Sequence, residues 1–125
     1  MSEQKGCYRA ALAALDTVGG VFSLLNPEGV DLIIPSGGLL LDVTTAATAA
    51  CTVDAGIDSD GTTSADNLID GLDVNAATGQ YDNIADKGTN GGPYKWGSTE
   101  YLVISMASGA AAGLAGYAYI EYIRE

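Results

Sequence analysis

The chain has no histidine, and only five of its 125 residues are lysine or arginine. Without histidine, Ser-His-Asp and Cys-His nucleophile pairs, imidazole acid–base catalysis and nearly all zinc chemistry are excluded. Sixteen acids against five bases leave a formal charge of −11. That balance excludes a free-standing nucleic-acid binder, because phosphate contacts need Lys and Arg clustered on one face. Large core-forming side chains are scarce, with one Phe, one Trp and two Met, whereas glycine alone supplies seventeen residues. Only two cysteines are present, Cys7 and Cys51, far apart in sequence. A disulfide scaffold carries about four to eight at tight spacing, so two free thiols are expected. No basic region followed by a sustained apolar run stands near the N-terminus, so no secretion signal is expected. The stretch 105–120 is apolar but interrupted by Ser105, Ser108, Gly109 and Gly113, and a membrane helix needs ~20 apolar residues. A single soluble domain is the expectation.

One stretch reads as helix. Residues 7–16 are rich in alanine and leucine, which favour helix. Tyr8, Leu12 and Leu15 fall at i, i+4 and i+7 on one face, and Gly19-Gly20 stops the run. Three turns are marginal unless docked on something, so an extended N-terminal arm is the competing reading of residues 1–17.

From Val21 the pattern becomes that of strands. Apolar runs at 21–25, 30–34 and 39–43 are closed by Asn26-Pro27-Glu28-Gly29 and Pro35-Ser36-Gly37-Gly38, both turn sequences. Cys51, Val53, Ala55 and Ile57 alternate with Thr52, Asp54 and Gly56, the signature of a half-buried antiparallel strand. Shorter candidates lie at 67–70 and 79–83, and Thr89-Asn90-Gly91-Gly92-Pro93 is a loop. Residues 94–96 lead into the strongest strand, 100–106. The last strand, 116–123, places Ala118, Ile120 and Tyr122 on one face and Tyr117, Tyr119, Glu121 and Ile123 on the other. Seven or eight short strands with turns between them predict an all-β fold, an antiparallel β-sandwich of jelly-roll type over 18–125. A terminal strand apolar on both faces needs cover on both, and a partner subunit is a natural source of the second.

Few motifs carry chemistry. Residues 54–86 hold eight aspartates and no base. Asp58-Ser59-Asp60-Gly61 resembles the middle of a calcium loop, since hard cations take oxygen ligands and glycine allows the sharp turn. The EF-hand pattern fails at its first and last positions, which fall on Gly56 and Asn67. A solvated turn capped by its own carboxylates is the plainer reading; a metal, if one binds, would engage Asp58 and Asp60. Tyr94, Trp96 and Tyr101 are either a sugar-stacking platform or packing residues. Gly37-Gly38 and Gly91-Gly92 lack phosphate-loop spacing. A glycosidase pair of carboxylates needs an aromatic cleft that this composition does not supply. The chain therefore reads as a non-enzyme without a cofactor.

Three segments carry a family resemblance. They are 39–57 (LLLDVTTAATAACTVDAGI), 63–74 (TSADNLIDGLDV), and the ending from Tyr101-Leu102-Val103-Ile104-Ser105 through Ala112-Gly113-Leu114-Ala115-Gly116-Tyr117-Ala118-Tyr119-Ile120-Glu121-Tyr122. They resemble segments of small virion structural proteins of tailed bacteriophages, near the capsid decoration (cement or head-fibre) group. The resemblance implies a small β-rich subunit on the outer capsid surface, bound to the major capsid protein and forming a homotrimer, with no membrane or nucleic-acid partner. It implies contact with the shell or a neighbouring subunit through an N-terminal arm. The residues expected at such interfaces are Tyr8, Leu12 and Leu15, with Tyr117, Tyr119 and Ile123 of the last strand. The rival expectation is a carbohydrate- or calcium-binding sandwich module, a fibre tip or adhesin, using the acidic loops and the Tyr94/Trp96 pair.

Overall fold

Turn residues cut the chain into short strands, and ten of them form in a computed structural model that describes residues 5–12, 21–75, 78–83, 93–109 and 112–125. In order they are β1 (Lys5–Ala11), β2 (Val21–Leu25), β3 (Leu32–Ile34), β4 (Leu39–Thr45) and β5 (Cys51–Asp58). They continue as β6 (Ile69–Asp73), β7 (Gly79–Asp82), β8 (Tyr94–Trp96), β9 (Tyr101–Gly109) and β10 (Ala115–Arg124). The fold is all-β, two antiparallel sheets packed together.

In the first sheet β10 is the spine. β1 pairs along one of its edges, from Lys5↔Ile123 to Ala11↔Tyr117. The other edge is shared, with β4 opposite residues 115–120 and β3 opposite 123–124. β7 adds to β4, and β8 adds to β3. The second sheet runs β2-β9-β5-β6. Where β10 meets β4 the register shifts between Ala115 and Gly116. Gly116 takes a φ of 143°, and a Cβ there would strike the Asp42 carbonyl, so the bulge needs glycine.

The core lies between the sheets and follows strand alternation. Leu39, Leu41 and Val43 of β4 and Ala118, Ile120 and Tyr122 of β10 come from one side. Val53, Ala55 and Ile57 of β5 and Leu102 and Ile104 of β9 come from the other. Trp96 is fully buried, stands edge-on to Tyr122 at 6.3 Å, and donates its indole N–H to the Glu100 carbonyl at 2.9 Å. Asn26 joins the two sheets at this end. Its Nδ2 donates to the carbonyls of Val30, Trp96 and Gly97, and its Oδ1 accepts from the amides of Glu28 and Gly29.

The N-terminus differs from the helix read at 7–16. Residues 5–11 form a strand, the extended alternative, and 13–16 lie outside the described residues. The β10 edge offers a seven-residue ladder, and such tertiary pairing overrides the modest helix preference of alanine and leucine. Tyr8, Ala10 and Leu12 then share a face by strand alternation, and Leu12 enters the core. Both cysteines are free thiols, Cys7 exposed and Cys51 buried.

Candidate interaction surface

The N-terminal strand is held at its start by a polar clamp. Glu28, in the turn after β2, receives a bidentate pair from Arg124, Nε to Oε1 at 3.0 Å and Nη2 to Oε2 at 3.1 Å. The Tyr122 hydroxyl donates to the same carboxylate at 2.8 Å. Arg124 also donates Nη1 to the Lys5 carbonyl at 2.9 Å, which ties β1 to the turn. Hydrogen bonds from Arg124 and then Tyr122 hold the Glu28 carboxyl below its usual range. Burial, followed by the Glu28 contact, pushes the Tyr122 phenol up. Gly6 sits opposite Tyr122, and its missing Cβ makes room for the ring.

β1 is an edge. β10 covers one side, and among the described residues no strand pairs with the other. The Glu121 amide donates to the Gly38 carbonyl, away from β1. The Cys7–Glu121 pair is therefore a non-hydrogen-bonded one, and the backbone N–H and C=O of Cys7 point to the open edge, as do those of Arg9 by alternation. Tyr8 is 40 % exposed on this strand.

The outward face of the first sheet is ordered by its register. One row across β1, β10, β4 and β7 reads Arg9, Tyr119, Leu40, Asp82. The adjacent row reads Ala11, Tyr117, Asp42, Gln80. Arg9 stacks over the Tyr117 ring at 4.6 Å, a cation–π contact. Tyr117 and Tyr119 lie 6.2 Å apart, and Gln80 donates to Asp42 at 2.9 Å. Tyr117 is 37 % exposed, and Leu40, Tyr119, Ile33 and Ile123 are half-buried. In the Arg9 row a base stands on β1, an aromatic and an aliphatic residue in the middle and an acid on β7; the other rows of the face carry Asp42 on β4, Glu121 on β10 and Lys95 on β8.

The expected interface residues divide. Tyr117, Tyr119 and Ile123 share this outward face. Tyr8 lies at the rim of the opposite face, Leu12 is buried in the protein's own core, and Leu15 lies outside the described residues. Arg9 and Leu40 belong to the surface but were not singled out in the sequence. The alternation of 39–43 already sets Leu40 and Asp42 opposite the buried Leu39, Leu41 and Val43. Glu28 and Arg124 meet across 96 positions, a separation that leaves no local sequence signal.

The acidic loop after β5 covers the outer face of the second sheet. The Asn67 side chain accepts from the Ile57 amide at 2.8 Å and donates to its carbonyl at 2.9 Å. Gly56 leaves the space, since a Cβ there would meet Asn67 Oδ1 at 2.6 Å. Asp58 Oδ2 accepts from the Asp60 amide, and Asp60 Oδ1 accepts from the amide and hydroxyl of Thr62. The backbone and side-chain hydrogen bonds from Thr62 lower the Asp60 pKa. Both carboxylates thus cap their own turn. Among the described residues no group of three His, Cys, Asp or Glu can hold a metal ion. Trp96 is enclosed in the core and Tyr94 is half-buried against it, so this pair offers no open stacking face.

No family model, no curated protein and no solved structure matches the chain.

Proposed function

We propose that the chain is a non-enzymatic virion structural protein that binds the outside of a bacteriophage head, and that its sandwich is a jelly roll. The strand orders support the second point. Setting aside the added β3–β8 ribbon, β1-β10-β4-β7 faces β2-β9-β5-β6, the order of two interleaved Greek keys. Jelly rolls serve both capsid and lectin domains, so function rests on the site and not on the fold. The perturbed carboxylates support a structural role. Glu28 is engaged by Tyr122 and Arg124, Asp31 by Lys95 and Ser98, and Asp60 by Thr62.

The observation that carries the reading is the open edge of β1. A strand bound on one side and exposed on the other adds readily to a strand of a neighbouring protein, with main-chain hydrogen bonds giving affinity. The partner is the major capsid protein, and the location is the capsid surface. Repetition over a symmetric shell turns a modest contact into tight binding.

The test has two parts. Mass spectrometry of gradient-purified particles is expected to find many tens to hundreds of copies per particle; absence, or a few copies only, overturns the decoration role. In a binding assay on capsids, Cys7→Pro removes an outward N–H without touching the β1–β10 ladder. It is expected to lose binding while circular dichroism and melting stay close to the parent. Unchanged binding refutes the edge as the contact.

A further inference from the structure

We propose that the outward face of the first sheet is a twofold interface with a second copy of this chain, a dimer in place of the homotrimer that the resemblance implies, and a contact separate from the β1 edge and from capsid binding. The register carries the argument. The row Arg9, Tyr119, Leu40, Asp82 runs base, aromatic, aliphatic, acid across four strands. Place a twofold axis along the strands, in the plane of contact, between β10 and β4. Each strand of one copy then lies over its mirror position in the other, with the sheets ~10 Å apart. Arg9 faces Asp82 of the second copy, and Tyr119 faces Leu40. In the adjacent row Tyr117 faces Asp42, an acceptor for its hydroxyl. The face is self-complementary, as an isologous contact requires.

Charge points the same way. The chain carries a net −11, yet three of its five bases, Lys5, Arg9 and Lys95, stand on strands β1 and β8 of this sheet. Among the described residues no carboxylate forms an ion pair with Arg9, whose guanidinium lies on Tyr117. At the far end the axis brings Lys5 toward Lys95 of the second copy. Each arrives with acids of its own chain: Glu121 at 3.7 Å from Lys5, and Asp31 at 3.2 Å and Glu125 at 3.7 Å from Lys95. The contact therefore centres on the Arg9 and Tyr117 rows. Placing aromatic and aliphatic side chains there also provides cover for the second apolar face of β10.

Sedimentation equilibrium of the full chain at physiological salt, over a range of micromolar concentrations, tests the proposal. A monomer–dimer equilibrium is expected. Arg9→Glu and Asp82→Arg are each expected to weaken the dimer about tenfold or more, and the double variant R9E/D82R to recover most of the loss, since the two positions face each other. Circular dichroism identifies any variant that fails to fold. If Asp82→Arg does, Ala11→Glu and Gln80→Lys, at opposite ends of the adjacent row in one chain and facing each other only across the axis, give the same loss and rescue. A monomer throughout, a trimer, a dimer indifferent to these changes, or losses without rescue overturns the proposal.

Discussion

The ring of Tyr122 occupies the space that a Cβ on Gly6 would fill, so the two residues pair across the β1–β10 ladder as a glycine and the aromatic that covers it. Such a pairing shields a glycine in an edge strand and lets the phenol pass beneath β1 to reach Glu28. Gly6→Val is therefore expected to push the strand away from the ring. The cost is about 1–3 kcal/mol, the range for forcing bulk into a filled site. Hydrogen exchange checks it, with protection lost at Tyr8 and Ala10 while β5 and β9 keep theirs.

The Glu28 clamp gives stability a dependence on pH. Its carboxyl is held below the usual value by hydrogen bonds from Arg124 and Tyr122. A depressed folded-state pKa contributes stability above the unfolded value and loses it as pH falls through the folded one. Asp31, lowered chiefly by Lys95 and then by the Ser98 amide, adds in the same direction. Thermal melting from neutral pH down to about pH 3 is expected to show a fall beginning near the ordinary carboxylate range, roughly pH 4–5. Glu28→Gln is expected to flatten part of that fall, and parent and variant to converge at the acid end. Asp54 acts in the opposite sense, since burial and then the Asp70 and Asp66 charges raise its pKa against the lowering effect of the Gly71 amide. Parallel curves for parent and Glu28→Gln would refute the assignment.

Asn26 is expected to be among the costliest positions in the chain. Its side chain serves two amides and three carbonyls, and the residue is 5 % exposed. Asn26→Ala leaves several of those groups unpaired, at about 2–3 kcal/mol. Asn26→Asp keeps the acceptor but loses the donor, and brings a charge to a buried position. Chemical denaturation is expected to place both variants well below the parent, with an unchanged slope.

Much of the sandwich was legible in the sequence because strands announce themselves locally. Alternation at 51–57 and 116–123, and turn residues at 26–29 and 35–38, set faces and boundaries without knowledge of the partner strand. Lys5–Ala11 was not legible in this way. Alanine and leucine favour helix in isolation, and the ladder that overrides them comes from a strand more than a hundred positions away. A separation of 96 positions likewise hides the clamp, where a turn glutamate meets the end of the last strand. Trp96 illustrates another limit on local reading. An aromatic next to a glycine-rich loop suggests an open platform, but its burial comes from Tyr122 and from the two sheets closing together.

The first sheet is held together by its last strand, β10. It bonds to β1 along one edge and to both β4 and β3 along the other. Until residues 115–124 are in place, β4–β7 and β3–β8 are two unconnected ribbons, and β1 has nothing to pair with. The first sheet is closed by the latest of the ten strands, through contacts of very large sequence separation. Chains dominated by such contacts fold in milliseconds to seconds rather than microseconds. During that interval several strand edges are exposed together, a state in which high net negative charge keeps neighbouring chains apart.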